Sequence, residues 1–175
     1  EVENILYINP NLNLGFWSVH EDGSLRNNGR EFKSIALPIG YVETALDILH
    51  KFLNPDRDFS VRTSVHVHQD VRGMLPQQLL TLLFAYLTVE KLFFEFVGNN
   101  RFNSIYCVPL LNTSLLENVT GGSDFVGTLR SLVKHWSKYS ALNLAAIVEF
   151  GTVEYRHMPG TLDITKLCRW IDMIA

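Results

Sequence analysis

Apolar and polar residues alternate along the chain with two different periods, and the changes of period predict where strands and helices lie. Short alternating or apolar segments bounded by turn residues predict strands, and these segments are 1–8, 16–20, 29–34, 61–70, 142–148 and 152–157. Apolar residues at helical spacing predict helices over 38–53, 76–97, 125–135 and 162–174. The Asp22-Gly23 pair favours a tight turn and therefore a hairpin, and 118–124 is expected to be a polar loop.

The strand at 61–70 places two histidines on one face, because successive strand side chains point to opposite sides of a sheet. One face, which is expected to be core, carries Val61, Thr63, Val65 and Val67. The other face carries Arg62, Ser64, His66, His68 and Asp70. The strand near the C-terminus places Thr152, Glu154 and Arg156 on a common face in the same way. A carboxylate and a guanidinium are therefore expected to join the two imidazoles.

The order of the elements predicts an α+β fold. Strands, a helix, a strand, a helix, and then strands and a final helix suit an antiparallel sheet with helices packed on one face. The other face would be open and polar, and a concave surface with convergent polar groups is where a ligand binds. We expect this face to carry His66, His68, Glu154, Arg156 and Glu31.

Composition limits the classes of partner. A chain of 175 residues that is 47% hydrophobic and 19% charged is expected to form a single domain over 1–175. A net charge of −3 without a stripe of Lys and Arg argues against nucleic acid. The most apolar segment, 79–97, contains three charged residues, so a deeply buried helix is expected rather than a membrane span. Cys107 and Cys168 lack metal-ligand or redox spacing and are expected to be reduced core thiols.

The polar residues on the open face suit a magnesium and phosphate site. Mg²⁺ prefers oxygen ligands and usually binds through one or two protein carboxylates plus substrate phosphates. The available carboxylates are Glu1, Glu3, Glu31 and Glu154. His66 would add an imidazole ligand, and His68 would donate a hydrogen bond to a phosphate oxygen. Arg156, with its planar fork of donors, would neutralise charge on a transferred phosphoryl group.

Simpler interpretations of the same residues stay open. A His-x-His strand also binds zinc, or holds two hydrogen-bonded histidines without any ligand. Glu154 and Arg156 on a solvated strand face can pair for only ~0–1 kcal/mol of stability. The histidines without such a pattern are expected at the surface or at helix caps, and these are His20, His50, His135 and His157.

Six short segments form a set of motifs that spans nearly the whole chain. They are Glu21-Asp22-Gly23-Ser24-Leu25, Gly29-Arg30-Glu31-Phe32, Val65-His66-Val67-His68, Arg101-Phe102-Asn103, Thr152-Val153-Glu154-Tyr155-Arg156 and Gly160-Thr161-Leu162-Asp163. In this order the set resembles the amidoligase family, the carboxylate–amine ligases of phages, bacteria and fungi. That family belongs to the glutamine synthetase and glutamate–cysteine ligase superfamily.

The resemblance implies an ATP- and Mg²⁺-dependent ligase on a curved antiparallel sheet like that of glutamine synthetase. A carboxylate would be activated as an acyl phosphate and then attacked by an amine, both substrates being small molecules or peptides. The implied metal ligands are Glu1, Glu3, Glu31, His66 and Glu154. The implied contacts to the nucleotide are His68, Arg156 and Arg101, of which the two arginines act in catalysis. Asn143 matches an asparagine that the family often has before its last catalytic strand, and its role stays open.

The chain departs from the family pattern at its ends. The family usually begins with a Gly-x-Glu-x-Glu strand, whereas this chain begins at Glu1-Val2-Glu3. We therefore expect a chain truncated before Glu1 and also after Met173, where relatives continue. The resemblance further implies a protein of the bacterial or phage-infected host cytoplasm. Because several superfamily members associate, a homo-oligomer stays open.

Three functions follow from these observations. An ATP-dependent amidoligase is the leading hypothesis, because the charged set of the site is nearly complete, with Glu31, His66, His68, Glu154 and Arg156 all present. The alternative is a non-catalytic structural or assembly protein, for example of a phage particle, that retains the ligase fold. A zinc hydrolase built on His66, His68 and Glu154 ranks last, because it lacks the helical His-Glu-x-x-His arrangement and leaves Arg156 without a role.

Overall fold

The computed structural model describes residues 1–4, 13–114 and 124–175. These residues form five strands: β1 (Trp17–Glu21), β2 (Arg30–Ser34), β3 (Ser64–Asp70), β4 (Leu142–Asn143) and β5 (Thr152–Pro159). They form six α-helices: α1 (Val42–His50), α2 (Pro55–Asp58), α3 (Pro76–Val97), α4 (Phe125–Lys134), α5 (Ala146–Phe150) and α6 (Ile164–Ile174). The chain divides into a first unit, residues 1–65 with 159–175, and a second unit, residues 66–158.

The first unit contains the predicted hairpin. β1 and β2 pair antiparallel over their full length, and Asp22 closes the turn by accepting a hydrogen bond from the Ser24 N–H at 2.8 Å. Helices α1 and α6 contact each other. The apolar core of the unit contains Val2, Phe32, Leu49, Leu53 and Leu162. Residues 5–8 of the predicted first strand and residues 118–123 of the predicted polar loop lie outside the described residues.

The second unit contains a three-stranded sheet in the order β3-β5-β4. Helix α3 packs on one face of β5, where the rings of Phe93 and Phe94 contact the His157 ring and Phe93 also contacts Tyr155. Because side chains alternate along a strand, Glu154 and Arg156 lie on the opposite face. The observed architecture is thus a mixed α and β fold with small antiparallel sheets, which confirms the predicted class at this level.

Two predictions about strands are wrong. Only Leu142–Asn143 of the predicted strand at 142–148 is extended, and the following residues form α5. A short apolar run does not distinguish a strand from a helix, and here the Asn143 side chain accepts a hydrogen bond from the Ala145 N–H and starts the turn into the helix. Val61, expected in the core, is 92% exposed because the strand begins only at Ser64.

Helix α3 has the predicted bounds but not the predicted burial. Its 22 residues bury one face, whereas Phe84 and Leu92 are 52% and 59% exposed. The expectation of a deeply buried helix is therefore wrong. Within the described part of the chain, no helix combines the length and the apolar character needed to cross a bilayer.

The cysteines and histidines outside the predicted site follow their expectations with two exceptions. Cys107 is fully buried, and burial raises the pKa of its thiol to about 11, whereas Cys168 is only partly buried. Three of the four other histidines are exposed, namely His20, His50 and His135. His157 is completely buried, so its expected place at the surface is wrong. It shares its strand face with Tyr155, and that face is the one that α3 covers.

His157 belongs to a buried hydrogen-bond network between α3 and β5. The Tyr86 hydroxyl donates to Glu90 Oε1 at 2.7 Å and lies 2.8 Å from His157 Nε2. Because its hydrogen is given to Glu90, the His157 Nε2–H is the donor in the second bond. Glu90 also accepts hydrogen bonds from the backbone N–H groups of Leu110 and Leu111. Burial and the nearby Glu90 charge raise the pKa of Tyr86 well above its ordinary value.

Replacing His157 with glutamine is expected to reduce the sensitivity of the fold to acid. Burial, assisted by the Arg101 charge, lowers the pKa of His157 from 6.5 to about 3. Between these two values the unfolded chain binds a proton that the folded chain does not. The free energy of unfolding therefore falls as the pH falls, by about 1.4 kcal/mol per pH unit from this group alone, and is unaffected by it above pH ~6.5.

The measurement is urea unfolding at a series of pH values for wild type, His157→Gln and the control His135→Gln, whose side chain is exposed. Between pH ~6 and ~4 the free energy of unfolding of His157→Gln should change with pH less steeply than that of wild type, by the amount that corresponds to about one proton. The control should have the same slope as wild type. The same pH dependence in all three proteins would show that His157 is not held neutral by the fold.

Candidate active site

Four of the predicted site residues meet on the face of the second unit's sheet opposite α3. Glu154 Oε1 lies 2.6 Å from Arg156 Nη1, 3.2 Å from His66 Nδ1 and 3.9 Å from His68 Nε2. The side chains of Glu154, Arg156 and His66 are 8%, 14% and 12% exposed, and that of His68 is 39% exposed. The set therefore combines a nearly buried centre with one more accessible imidazole.

Asn143 completes this set on the other side of Glu154. Its Nδ2 donates to Glu154 Oε2 at 2.6 Å, and its Oδ1 accepts the Ala145 N–H at 2.9 Å. We call His66, His68, Asn143, Glu154 and Arg156 the Glu154 cluster. Both oxygens of the Glu154 carboxylate have hydrogen-bond partners in this cluster.

Local sequence explains why these side chains converge. Strand β3 alternates valine with histidine, so His66 and His68 share a face. β5 starts directly after Gly151, which has a φ of +70° and caps α5 in the left-handed conformation that glycine tolerates best. Pairing of Asn143 opposite Glu154 in the β4–β5 register brings the third strand's polar side chain beside the carboxylate.

His66 is a neutral imidazole at neutral pH. Burial, followed by the positive charge of Arg156, lowers the pKa of His66 well below its ordinary value. A carboxylate can only accept hydrogen bonds, so Nδ1 carries the hydrogen in the contact with Glu154. Positive charge beside Glu154 therefore comes from Arg156 rather than from His66.

His68 and Arg156 are each oriented by a second contact. His68 Nδ1 lies 2.8 Å from the Thr152 hydroxyl, and its ring is perpendicular to the Phe150 ring with 5.7 Å between centroids. Arg156 Nε donates to the carbonyl of Tyr106 at 3.3 Å. Thr152 lies on the strand face that the sequence predicts for the site. The contact with the Tyr106 carbonyl could not be predicted from sequence, because a backbone carbonyl is common to every residue.

Arg101 is buried beneath β5. It is 4% exposed, and it donates from Nε to the His157 carbonyl at 3.1 Å and from Nη2 to the Arg156 carbonyl at 2.9 Å. These contacts fix the backbone of the strand that carries Glu154 and Arg156. Its predicted contact with a nucleotide phosphate stays a prediction.

The other predicted carboxylates belong to the first unit, where each has a local partner. Glu1 accepts a hydrogen bond from the Ser64 hydroxyl. Glu3 is 4% exposed and accepts the Arg26 N–H at 2.8 Å, and Glu31 lies 3.0 Å from Lys33 Nζ. Their roles as metal ligands stay predictions.

The donors of the Glu154 cluster suit a magnesium ion that a nucleotide also holds. Adjacent ligands of an octahedral Mg²⁺ lie about 3 Å apart, given bonds of about 2.1 Å, and His66 Nδ1 and Glu154 Oε1 are 3.2 Å apart. Nδ1 would bind the ion only after its hydrogen has moved to Nε2, because a ring nitrogen that carries hydrogen cannot act as a metal ligand. Among residues 1–4, 13–114 and 124–175, no group of three or more His, Cys, Asp or Glu side chains is arranged to hold a metal ion. Two protein donors are enough only where phosphates and water supply the rest.

Comparison with known proteins adds the family. Searches of curated proteins and of solved structures returned no match. The model of a family described as "Putative amidoligase enzyme" matches residues 11–175, which include all of the Glu154 cluster. Since this match spans nearly the whole chain, the chain belongs to the amidoligase family.

Proposed function

We propose that this protein is an ATP- and Mg²⁺-dependent carboxylate–amine ligase that works through an acyl phosphate. The observation that carries the proposal is the Glu154 cluster, which places a carboxylate, two imidazoles, a guanidinium and an amide on one sheet face of an amidoligase-family chain. Phosphoryl transfer depends mainly on the placement of such charges. The proposal includes a glutamine synthetase-like curved sheet as the floor of the active site.

In this proposal Glu154 and His66 hold the metal ion together with the nucleotide phosphates. When bound, Mg²⁺ supplies positive charge that neutralises the phosphate oxygens. Glu154 would provide the anionic ligand, and His66, which is neutral, would add an imidazole nitrogen, because metal binding requires an unprotonated ring atom. Glu1, Glu3 and Glu31 are proposed as further carboxylate ligands.

Arg156 and His68 bind the phosphoryl group. Arg156 Nη1 lies 2.6 Å from Glu154 Oε1, and in a nucleotide complex its guanidinium would donate to the phosphoryl oxygens, while Glu154 Oε1 would be shared with the metal ion. A guanidinium matches the geometry of phosphate oxygens through paired donors. His68, which is 39% exposed, donates a further hydrogen bond to a phosphate oxygen.

The proposed reaction has two steps. An oxygen of the substrate carboxylate attacks the γ-phosphorus of ATP, ADP leaves, and an acyl phosphate forms. The amine then attacks the acyl carbon, phosphate leaves with the carbon–oxygen bonding electrons, and the amine loses a proton. Arg156 neutralises the charge that develops on the phosphoryl oxygens in the first step and on the departing phosphate in the second.

A substrate screen tests this function. The purified protein is incubated with ATP, Mg²⁺ and pools of amino acids or short peptides, and ADP, phosphate and new products are measured. We expect ADP formation that requires both a carboxylate and an amine, with a product whose mass is their sum less one water. ADP formation that no pool stimulates, together with failure to bind nucleotide, would favour the structural or assembly role.

A further inference from the structure

We propose that Asn143 is a positioning residue that sets the orientation of the Glu154 carboxylate. It holds Oε2 so that Oε1 is presented to His66 and Arg156. The consequence for metal binding rests on the proposed function, whereas the orientation itself does not.

The contacts of Asn143 define which end of its amide faces Glu154. Oxygen and nitrogen of an amide are difficult to distinguish by shape, so their assignment follows from hydrogen bonding. The Ala145 N–H can only donate, and therefore the atom 2.9 Å from it is the acceptor Oδ1. The other end, Nδ2, then faces Glu154 Oε2 at 2.6 Å as a donor.

Strand pairing and burial hold both side chains in place. Asn143 and Glu154 are directly opposite in the β4–β5 register, so their side chains share a sheet face. As whole residues, Asn143 and Glu154 are 5% and 6% exposed, and a hydrogen bond to an ionised acceptor is stronger in such an environment than in water. The anchor at Ala145 leaves the amide little freedom to turn away.

The two carboxylate oxygens therefore have different tasks. Oε2 is held by a neutral donor, which fixes its position without neutralising the charge. Oε1 lies 2.6 Å from Arg156 Nη1 and 3.2 Å from His66 Nδ1. Partners that orient a metal ligand typically change metal affinity or activity by 10- to 100-fold when they are removed.

Two variants of Asn143 and one control separate positioning from stability. Asn143→Ala removes both contacts, whereas Asn143→Asp keeps the acceptor for the Ala145 N–H and replaces only the donor that faces Glu154. The control is Trp136→Phe, which removes the hydrogen bond from Trp136 Nε1 to the Leu142 carbonyl at 2.7 Å in the same strand. This substitution leaves the hydrogen bond between Asn143 and the Glu154 carboxylate in place.

The first measurement is the His66 Nδ1–H signal in NMR spectra of histidine-labelled protein without nucleotide. Wild type and Trp136→Phe should both show this proton protected by the Glu154 contact, and both Asn143 variants should lose or shift it. The second measurement is Mn²⁺ affinity, followed by electron paramagnetic resonance in the presence of a non-hydrolysable ATP analogue. We expect about tenfold or greater weakening in Asn143→Ala and no change in the control. Asn143→Asp is used only in the NMR comparison, because its added carboxylate is itself an oxygen ligand for the ion.

The outcomes distinguish the two proposals. An unchanged His66 signal in both folded Asn143 variants would overturn the positioning role, and so would equal effects of Trp136→Phe. If wild type binds no Mn²⁺ with the nucleotide, the proposed function fails, but the NMR comparison still decides whether Asn143 orients Glu154.

Discussion

Replacing Glu154 with glutamine is expected to abolish ligation while leaving the chain folded. Glutamine has the shape of glutamate but no charge, so it cannot balance a metal ion beside a nucleotide. Glu154 is also the common partner of Arg156, His66 and Asn143. We expect the rate of product formation to fall by about a hundredfold or more, as for the loss of a principal charge-stabilising group.

The chain should still fold, although less stably than wild type, because the glutamine carbonyl accepts hydrogen bonds at one former oxygen position while its NH2 faces a donor at the other. Far-ultraviolet circular dichroism and thermal unfolding check this point alongside activity. The matched control is Glu149→Gln, the same change at an exposed position of α5. If Glu154→Gln turned over substrate at a rate close to that of Glu149→Gln, Glu154 would have no essential part in the reaction.

Arg101→Lys is expected to have the largest effect on stability. Arginine at this position donates two hydrogen bonds to neighbouring β5 carbonyls, and lysine keeps the charge but not the planar fork. A hydrogen bond from a charged group contributes about 1.5–3 kcal/mol. The loss of one or both bonds in this buried place should lower the free energy of unfolding by ~2–4 kcal/mol.

Denaturant unfolding measures this effect, with Arg72→Lys as the control. Arg72 pairs with Asp70 at an exposed position, where the same substitution should cost no more than ~1 kcal/mol. If Arg101→Lys were as stable as the control but lost nucleotide binding, Arg101 would act by contacting a phosphate directly and not by holding the β5 backbone. A large loss of stability in Arg101→Lys but not in Arg72→Lys would establish that Arg101 acts by holding the backbone of β5 in place.

The two histidine- and glutamate-bearing strands could be predicted because a strand has a period of two. Once His66 and His68 alternate with valine, they must share a face, and the same rule puts Glu154 beside Arg156. The same rule also predicts that His157 is buried, because alternation places it on the apolar face of β5 with Val153 and Tyr155. The error there came from treating an isolated histidine as a surface residue.

Other parts of the site depend on contacts that no local pattern encodes. Arg101 reaches carbonyls more than 50 positions away along the chain, and its own segment carries no periodic signal. The run from Leu142 to Val148 is apolar throughout except for Asn143, so periodicity could not distinguish strand from helix. The role of Asn143 became visible only when β4 was placed beside β5.

Isothermal titration calorimetry with Mg²⁺ and a non-hydrolysable ATP analogue tests the central claim most directly. Wild type should bind the analogue with a micromolar dissociation constant when Mg²⁺ is present, and Glu154→Gln should lose this binding. Absence of binding in wild type, or equal binding by both proteins, would contradict a nucleotide and metal site centred on Glu154.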